Sequence, residues 1–255
     1  MSSTRIIVTC FLLFWQLAAQ AQRPMIAIII DDLGNKSSDE QAVRLPGAVA
    51  CAFLPHTPHT PRLAKLAHAK NKEVMLHAPM QSMHDDKKLG PGSLTLNMTE
   101  SEFVKTLQES LAAVPHVQGV NNHMGSLLTR HPGHMLWLMK EINRQGDLFF
   151  VDSRTTKHSV AKMVAHENHV PNLTRDIFLD AVDSEAFVEK QFDRLLKIAR
   201  QHGSALAIGH PYPDTMKVLK RRLQKLELEN VDLVPVSTLL KSKQGKAAWQ
   251  MSLSH

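Results

Sequence analysis

Short apolar runs alternate along the chain with longer amphipathic stretches. Met25–Ile30, Ala48–Leu54, Glu73–Leu76, Gly119-Val120, Leu148–Val151, Asp176–Leu179, Ser204–Ile208 and Val231–Val236 are brief and nearly continuous, as expected of parallel strands buried on both faces. Between them lie helical patterns. One covers Thr60–Lys70, with Pro58 and Pro61 at its start. Thr99-Glu100-Ser101-Glu102 has the form of a capping box and opens a helix to about Val114. Pro132–Arg144 places Met135, Leu136, Met139 and Ile142 at helical spacing, and Ser184–Gln201 does the same with Phe187, Phe192, Leu195, Leu196 and Ile198. Asp214–Leu226 precedes the last strand. This alternation predicts βαβ units, and about seven to eight mostly parallel strands in such a length fit a single-domain distorted (β/α) barrel, with an open doubly wound sheet as the alternative. The Gly/Pro-rich, charged stretch from Gln81 to Asn97 reads as a long binding loop, and residues 241–255 as a disordered tail.

The first residues do not fit this scheme. Arg5, an apolar run from Ile6 to Trp15 broken by Thr9, and then Ala19-Gln20-Ala21 follow the order of a secretory signal peptide over residues 1–21. The run is shorter than the roughly 20 apolar residues that span a bilayer. The expectation is therefore a periplasmic protein, residues 22–240 forming the barrel, with no stable membrane insertion once the signal is cleaved. Cys10 falls within the signal, so Cys51 is the single mature thiol. It sits in an apolar run as a small buried hydrophobe, and no internal disulfide is available.

The chain carries 30 Lys and Arg against 24 Asp and Glu, a formal charge of +6. Nucleic acid is not the expected partner: Lys217, Lys220, Arg221, Arg222 and Lys225 form a solvated helix face, and with one Tyr there is no aromatic–basic platform.

The informative polar residues share one structural address. Asp31, Asp32, His77, His123, Asp152 and His210 all stand where an apolar run ends, and the C-terminal strand ends of a parallel fold share one face. Adjacent carboxylates closing a buried strand repel each other, and a cation relieves that cost. Two imidazoles and one carboxylate suit Zn²⁺ or a related divalent ion and leave a position open for water. Asp32, His77 and His123 are the candidate ligands, Asp31 the base and His210 the acid. Asp152 is a further catalytic candidate, although Ser153-Arg154 beside it could simply pair with its charge. His56, His59, His131, His134, His166 and His169 are expected to face solvent; the last two form H-E-N-H, not the HExxH spacing of a helical metal site. No CxxC pair, Walker loop, GxGxxG or GxSxG occurs, which removes support for nucleotide chemistry and serine-nucleophile hydrolysis.

The blocks Ile28-Ile29-Ile30-Asp31-Asp32-Leu33-Gly34, Leu76-His77-Ala78-Pro79-Met80, Gly119-Val120-Asn121-Asn122-His123-Met124-Gly125-Ser126, Phe150-Val151-Asp152-Ser153-Arg154-Thr155, Arg175-Asp176-Ile177-Phe178-Leu179-Asp180 and Ala207-Ile208-Gly209-His210-Pro211 follow one another in order. Together they resemble the divergent polysaccharide deacetylase family, the YibQ-like proteins of bacterial envelopes, from about Pro24 to Leu240. The resemblance implies a distorted barrel with a divalent metal, usually Zn²⁺. It also implies that the first Asp of the pair is a base and the second a ligand, with a late catalytic His at His210. The parent carbohydrate esterases take two metal His from one H-x-x-x-H motif. Here His77 is followed four residues later by Gln81, and His123 is the candidate replacement.

The expected function is an exported metal-dependent hydrolase acting on C–N non-peptide bonds, removing acyl groups from an envelope polysaccharide or related carbohydrate. The alternative is a catalytically inactive envelope protein that binds glycan or other envelope proteins on the same barrel. A cyclic-amide hydrolase would share the metal but not the substrate.

Overall fold

The computed structural model describes residues 23–84 and 89–253, so the signal expected over residues 1–21 lies outside it. Nine strands form one all-parallel sheet: β1 (Met25–Leu33), β2 (Ala50–Phe53), β3 (Val74–Met80), β4 (Val117–Met124), β5 (Phe149–Asp152), β6 (Asn172–Thr174), β7 (Ile177–Phe178), β8 (Ser204–Gly209) and β9 (Asp232–Leu233). Their spatial order, β6-β5-β4-β3-β2-β1-β8-β7, is that of a singly wound barrel, with β9 beside the start of β1. The helices α1 (Glu40–Val43), α2 (Thr60–Ala69), α3 (Glu100–Ala113), α4 (Pro132–Arg144), α5 (Ala161–Glu167), α6 (Glu185–His202) and α7 (Pro213–Leu223) lie between strands; α8 (Val236–Leu253) follows β9. The architecture is the distorted (β/α) barrel, not the doubly wound sheet.

The ring has one seam. β6 and β7 are the two ends of the strand order, yet Arg175 and Asp176 alone separate them in the chain. The Arg175 amide donates to Asp152 O at the end of β5, and the Asp176 amide donates to Leu206 O in β8. One extended segment, 172–178, therefore changes partners in mid-course and bridges the gap.

Alternation along the strands divides the core in two. Ile26, Ile28, Ile30, Cys51, Phe53, Leu76 and Phe150 face outward under the helices, packed with Leu63, Phe103, Leu138 and Phe192. Burial in this layer pushes the Cys51 thiol up to about 12. Met25, Ala27, Ile29, Ala50, Ala52, Met75, Phe149, Val151, Leu206 and Ile208 face inward. Val236, Leu239 and Leu240 of α8 join this inner cluster, and buried Glu73 holds the start of α8 by accepting the Val236 amide at 2.5 Å and the Ser237 amide at 3.1 Å.

The C-terminal stretch corrects the sequence expectation. Residues 241–253 continue α8 as helix, where disorder was expected from 241. Packing of Leu239 and Leu240 nucleates the element, and a proline-free run rich in Lys, Gln and Ala propagates it. The basic face of α7 also differs from a merely solvated surface: Lys217 and Arg222 reach Glu185 and Asp193 of α6 at 2.6 and 2.8 Å, and Arg221 pairs with Glu185 and Glu189.

Candidate metal centre and cleft

The inward-facing stripes change character at the C-terminal end of the strands. On β1 the series Ala27, Ile29 continues to Asp31; on β3 Met75 continues to His77; on β4 Gly119 continues to Asn121 and His123; on β8 Leu206 and Ile208 continue to His210. A cleft of about 400 Å³ opens there, lined among others by Asp31, Asp32, His77, His123, Arg154, Arg175 and His210.

Asp32 is out of phase with Asp31, so a regular strand would turn it to the other face. Its backbone instead takes φ 60°, within an irregularity of the β1–β2 register between Ile30 and Leu33. Asp tolerates this left-handed conformation better than most residues, and it brings both carboxylates to one cleft. Asp32 Oδ1 lies 2.9 Å from His123 Nδ1 and 3.1 Å from His77 Nε2, and those two nitrogens are 3.2 Å apart. Ligand atoms of the three residues all lie within 4.8 Å of one another. Asp32 Oδ1 is nevertheless buried without a properly directed hydrogen bond among the described residues. Lone pairs turned towards a common point, rather than towards hydrogens, fit a shared cation. The donor set, two imidazoles and a carboxylate, could hold a divalent ion such as Zn²⁺. Burial opposes ionisation of Asp32, but His123 and His77 outweigh it and hold its pKa well below the usual carboxylate range.

Asn121, which sequence reasoning left outside the site, orients this cluster. Its Nδ2 donates to Asp31 Oδ1 at 2.8 Å, and its Oδ1 faces His77 Nδ1 at 2.9 Å. With the amide oxygen accepting from Nδ1, the His77 Nε2 lone pair is left facing Asp32, the tautomer a ligand needs. Asp31 is 2% exposed, and burial raises its pKa, with His77 and His210 acting against the rise.

His210 stands across the cleft, its Nε2 3.7 Å from Asp32 Oδ2. Asp180 grips it from behind, with Oδ1 3.0 Å from His210 Nδ1 and Oδ2 accepting the His210 amide at 2.6 Å and the Thr215 hydroxyl at 2.8 Å. A Cβ at Gly209 would come within 3.2 Å of Asp180 Oδ2, so glycine leaves the carboxylate room. Burial alone would lower the His210 pKa; Asp180, with Asp32 and Asp31, outweighs it and raises it to about 9.

The expected set thus converges, with one exception. Asp152 follows inward-facing Val151 and so points to the other face. It does not line the cleft; its Oδ1 accepts the Arg154 amide at 2.7 Å. Ser153, in phase with Val151, occupies the wall instead. Arg175 and Asp180 were visible in the sequence, but no periodicity marked them for this place, whereas strand phase from Val151 would have marked Ser153. His134 is a second correction. It is 6% exposed, not solvated, because it lies on the apolar stripe of α4 and packs on Phe103 and Trp137 with ring centroids 5.7 and 4.4 Å away. Gln81 does not turn to the ligand cluster: its Oε1 accepts the Leu96 amide at 2.9 Å and its carbonyl accepts from Leu127 and Leu128, pinning the loop after β3.

Comparison with known proteins bears on family and fold. The family model for divergent polysaccharide deacetylases matches residues 28–240. The uncharacterised Escherichia coli K12 protein YibQ is 34% identical over 220 residues, covering 86% of this chain and 68% of that protein. An uncharacterised Haemophilus influenzae protein is 36% identical over 220 residues, covering 86% of this chain and 78% of its own length. Among solved structures, an uncharacterised Agrobacterium tumefaciens C58 protein superposes with a TM-score of 0.82 at 22% identity, covering 87% of this chain and 91% of that one.

Proposed function

The chain belongs to the divergent polysaccharide deacetylase family, and from that premise we propose that it is an exported, metal-dependent hydrolase that removes acyl groups, by C–N cleavage, from an envelope carbohydrate. The observation that carries this is the convergence of Asp32, His77 and His123 on one point between the buried Asp31 carboxylate and the His210 imidazole.

Asp32, His77 and His123 would hold the ion. When bound there, a divalent ion such as Zn²⁺ supplies Lewis acidity, lowering the pKa of a water towards 7 and polarising the acyl carbonyl. Asp31 takes the proton of the attacking water, and burial has raised its affinity for that proton. Asn121 keeps Asp31 and His77 in register. His210, charged at neutral pH and aimed by Asp180, donates a proton to the departing amine nitrogen as the C–N bond breaks. Asp152 positions the Arg154 turn and takes no part in proton transfer.

Purified protein loaded with Zn²⁺ should hold one ion per chain and release acetate from N-acetylated oligosaccharides. Asp32→Ala and His123→Ala should each lose the ion and at least 10³-fold of the activity, on the order of 4 kcal/mol of barrier. Unchanged metal content and activity in both variants would sink the assignment. Metal-free, inactive wild type that still binds glycan would establish the non-catalytic binding protein instead.

A further inference from the structure

We propose that Arg154 selects an oxyanion on the substrate, so that the carbohydrate bound in this cleft carries a carboxylate or phosphate near its acyl group. This builds on the hydrolase function above. The first observation is that the Arg154 side chain is unspent. It is exposed and lines the cleft, yet its guanidinium makes no ion pair or hydrogen bond among the described residues. Asp152, its neighbour in sequence, accepts the Arg154 amide instead.

The second observation is how the backbone presents it. Arg154 has φ 52°, a left-handed conformation that glycine or asparagine would adopt at less cost. The strain is held in place from both sides: Asp152 Oδ1 receives the amide at 2.7 Å, and Arg175 donates to Ser153 O at 2.7 Å and to Arg154 O at 3.1 Å. Held in this way, the strained turn keeps the Arg154 side chain directed from the cleft wall. Arg175 is committed to those carbonyls, so the two arginines of this wall do different work.

The third observation is charge. With a divalent ion on Asp32, His77 and His123, the carboxylates of Asp31 and Asp32 are already matched, and Arg175 is committed to the Ser153 and Arg154 carbonyls and to the Phe178 ring. The Arg154 charge is left over, beside the like charge of Arg175. A planar guanidinium binds a carboxylate or phosphate through two parallel hydrogen bonds, which supplies both charge and direction.

Three sugars test this on the Zn²⁺-loaded full chain: N-acetylglucosamine, its 6-phosphate, and its 3-O-lactyl ether, which bears a carboxylate. Calorimetric binding should favour at least one anionic sugar over the neutral one by tenfold to a hundredfold, the weight of a charge-assisted bond. The stronger of the two anions names the oxyanion. Arg154→Gln should erase the preference, and Arg154→Lys should keep part of it. Arg154→Gly should also erase it while the melting temperature holds or rises, which separates lost recognition from lost folding. Equal affinity for neutral and anionic sugars, a preference that survives in Arg154→Gln, or no measurable binding of either anionic sugar overturns the proposal. Acetate release is read separately. Anion preference without hydrolysis refutes the hydrolase function alone, and hydrolysis without anion preference refutes this inference alone.

Discussion

The two ends of the barrel's inner face are built from the same strands to opposite purposes. At the N-terminal end Met25, Met75, Phe149 and Leu206 meet Leu239 and Leu240 of α8 in a closed apolar floor. Two to six residues further along, the same inward phase yields Asp31, His77 and His210, with Asn121 and His123 beside them on β4. The floor gains stability from burial, at roughly 25 cal/mol per Å² of apolar surface. The rim spends some of it, by burying carboxylates and imidazoles whose cost a hydrogen-bond network offsets. Stability and chemistry are thus separated by position along a strand, not by domain.

Three substitutions would break or sharpen that division, in decreasing order of effect. Asp31→Asn at the rim should lower the rate of acyl release by about 10²–10⁴-fold, the range for a lost general base, while the protein keeps its ion and its melting temperature. Joint loss of activity and fold would show that rim and floor are not separable. Leu239→Ala in the floor should cost about 2–5 kcal/mol of stability, with metal content intact in the folded fraction. Denaturant unfolding of apo and loaded protein measures both. Asp180→Asn, behind the rim, should cost about 10–100-fold in activity. Its signature is in the pH profile. The acid must be protonated, so activity falls as pH rises through the His210 pKa, about 9 without the ion and lower with it. Removing the Asp180 charge should move that alkaline limb to still lower pH. A limb that stays put would free His210 of the role.

Much of this was legible in the chain. Nearly continuous apolar runs marked eight of the nine strands, since both faces of a parallel sheet are buried. β6 escaped because Asn172-Leu173-Thr174 offers one apolar residue. The site residues stood out because apolar strands ended in acids and imidazoles. Asp152 was misplaced for want of phase: counting by twos from Val151 selects Ser153. Asp32 defies the same count and reaches the cleft through a left-handed backbone that spacing does not encode. Asp180 and Arg175 act from behind or beside the cleft, across long sequence separations, where pattern gives no signal.

The segment that crosses the seam carries a mechanical consequence. Arg175, midway between its two partner strands, also fastens the carbonyls of Ser153 and Arg154. The clasp of the barrel and one wall of the cleft are therefore the same few residues. Any loosening of the clasp would widen the mouth on that side, where a fully hydrogen-bonded ring would hold its width fixed.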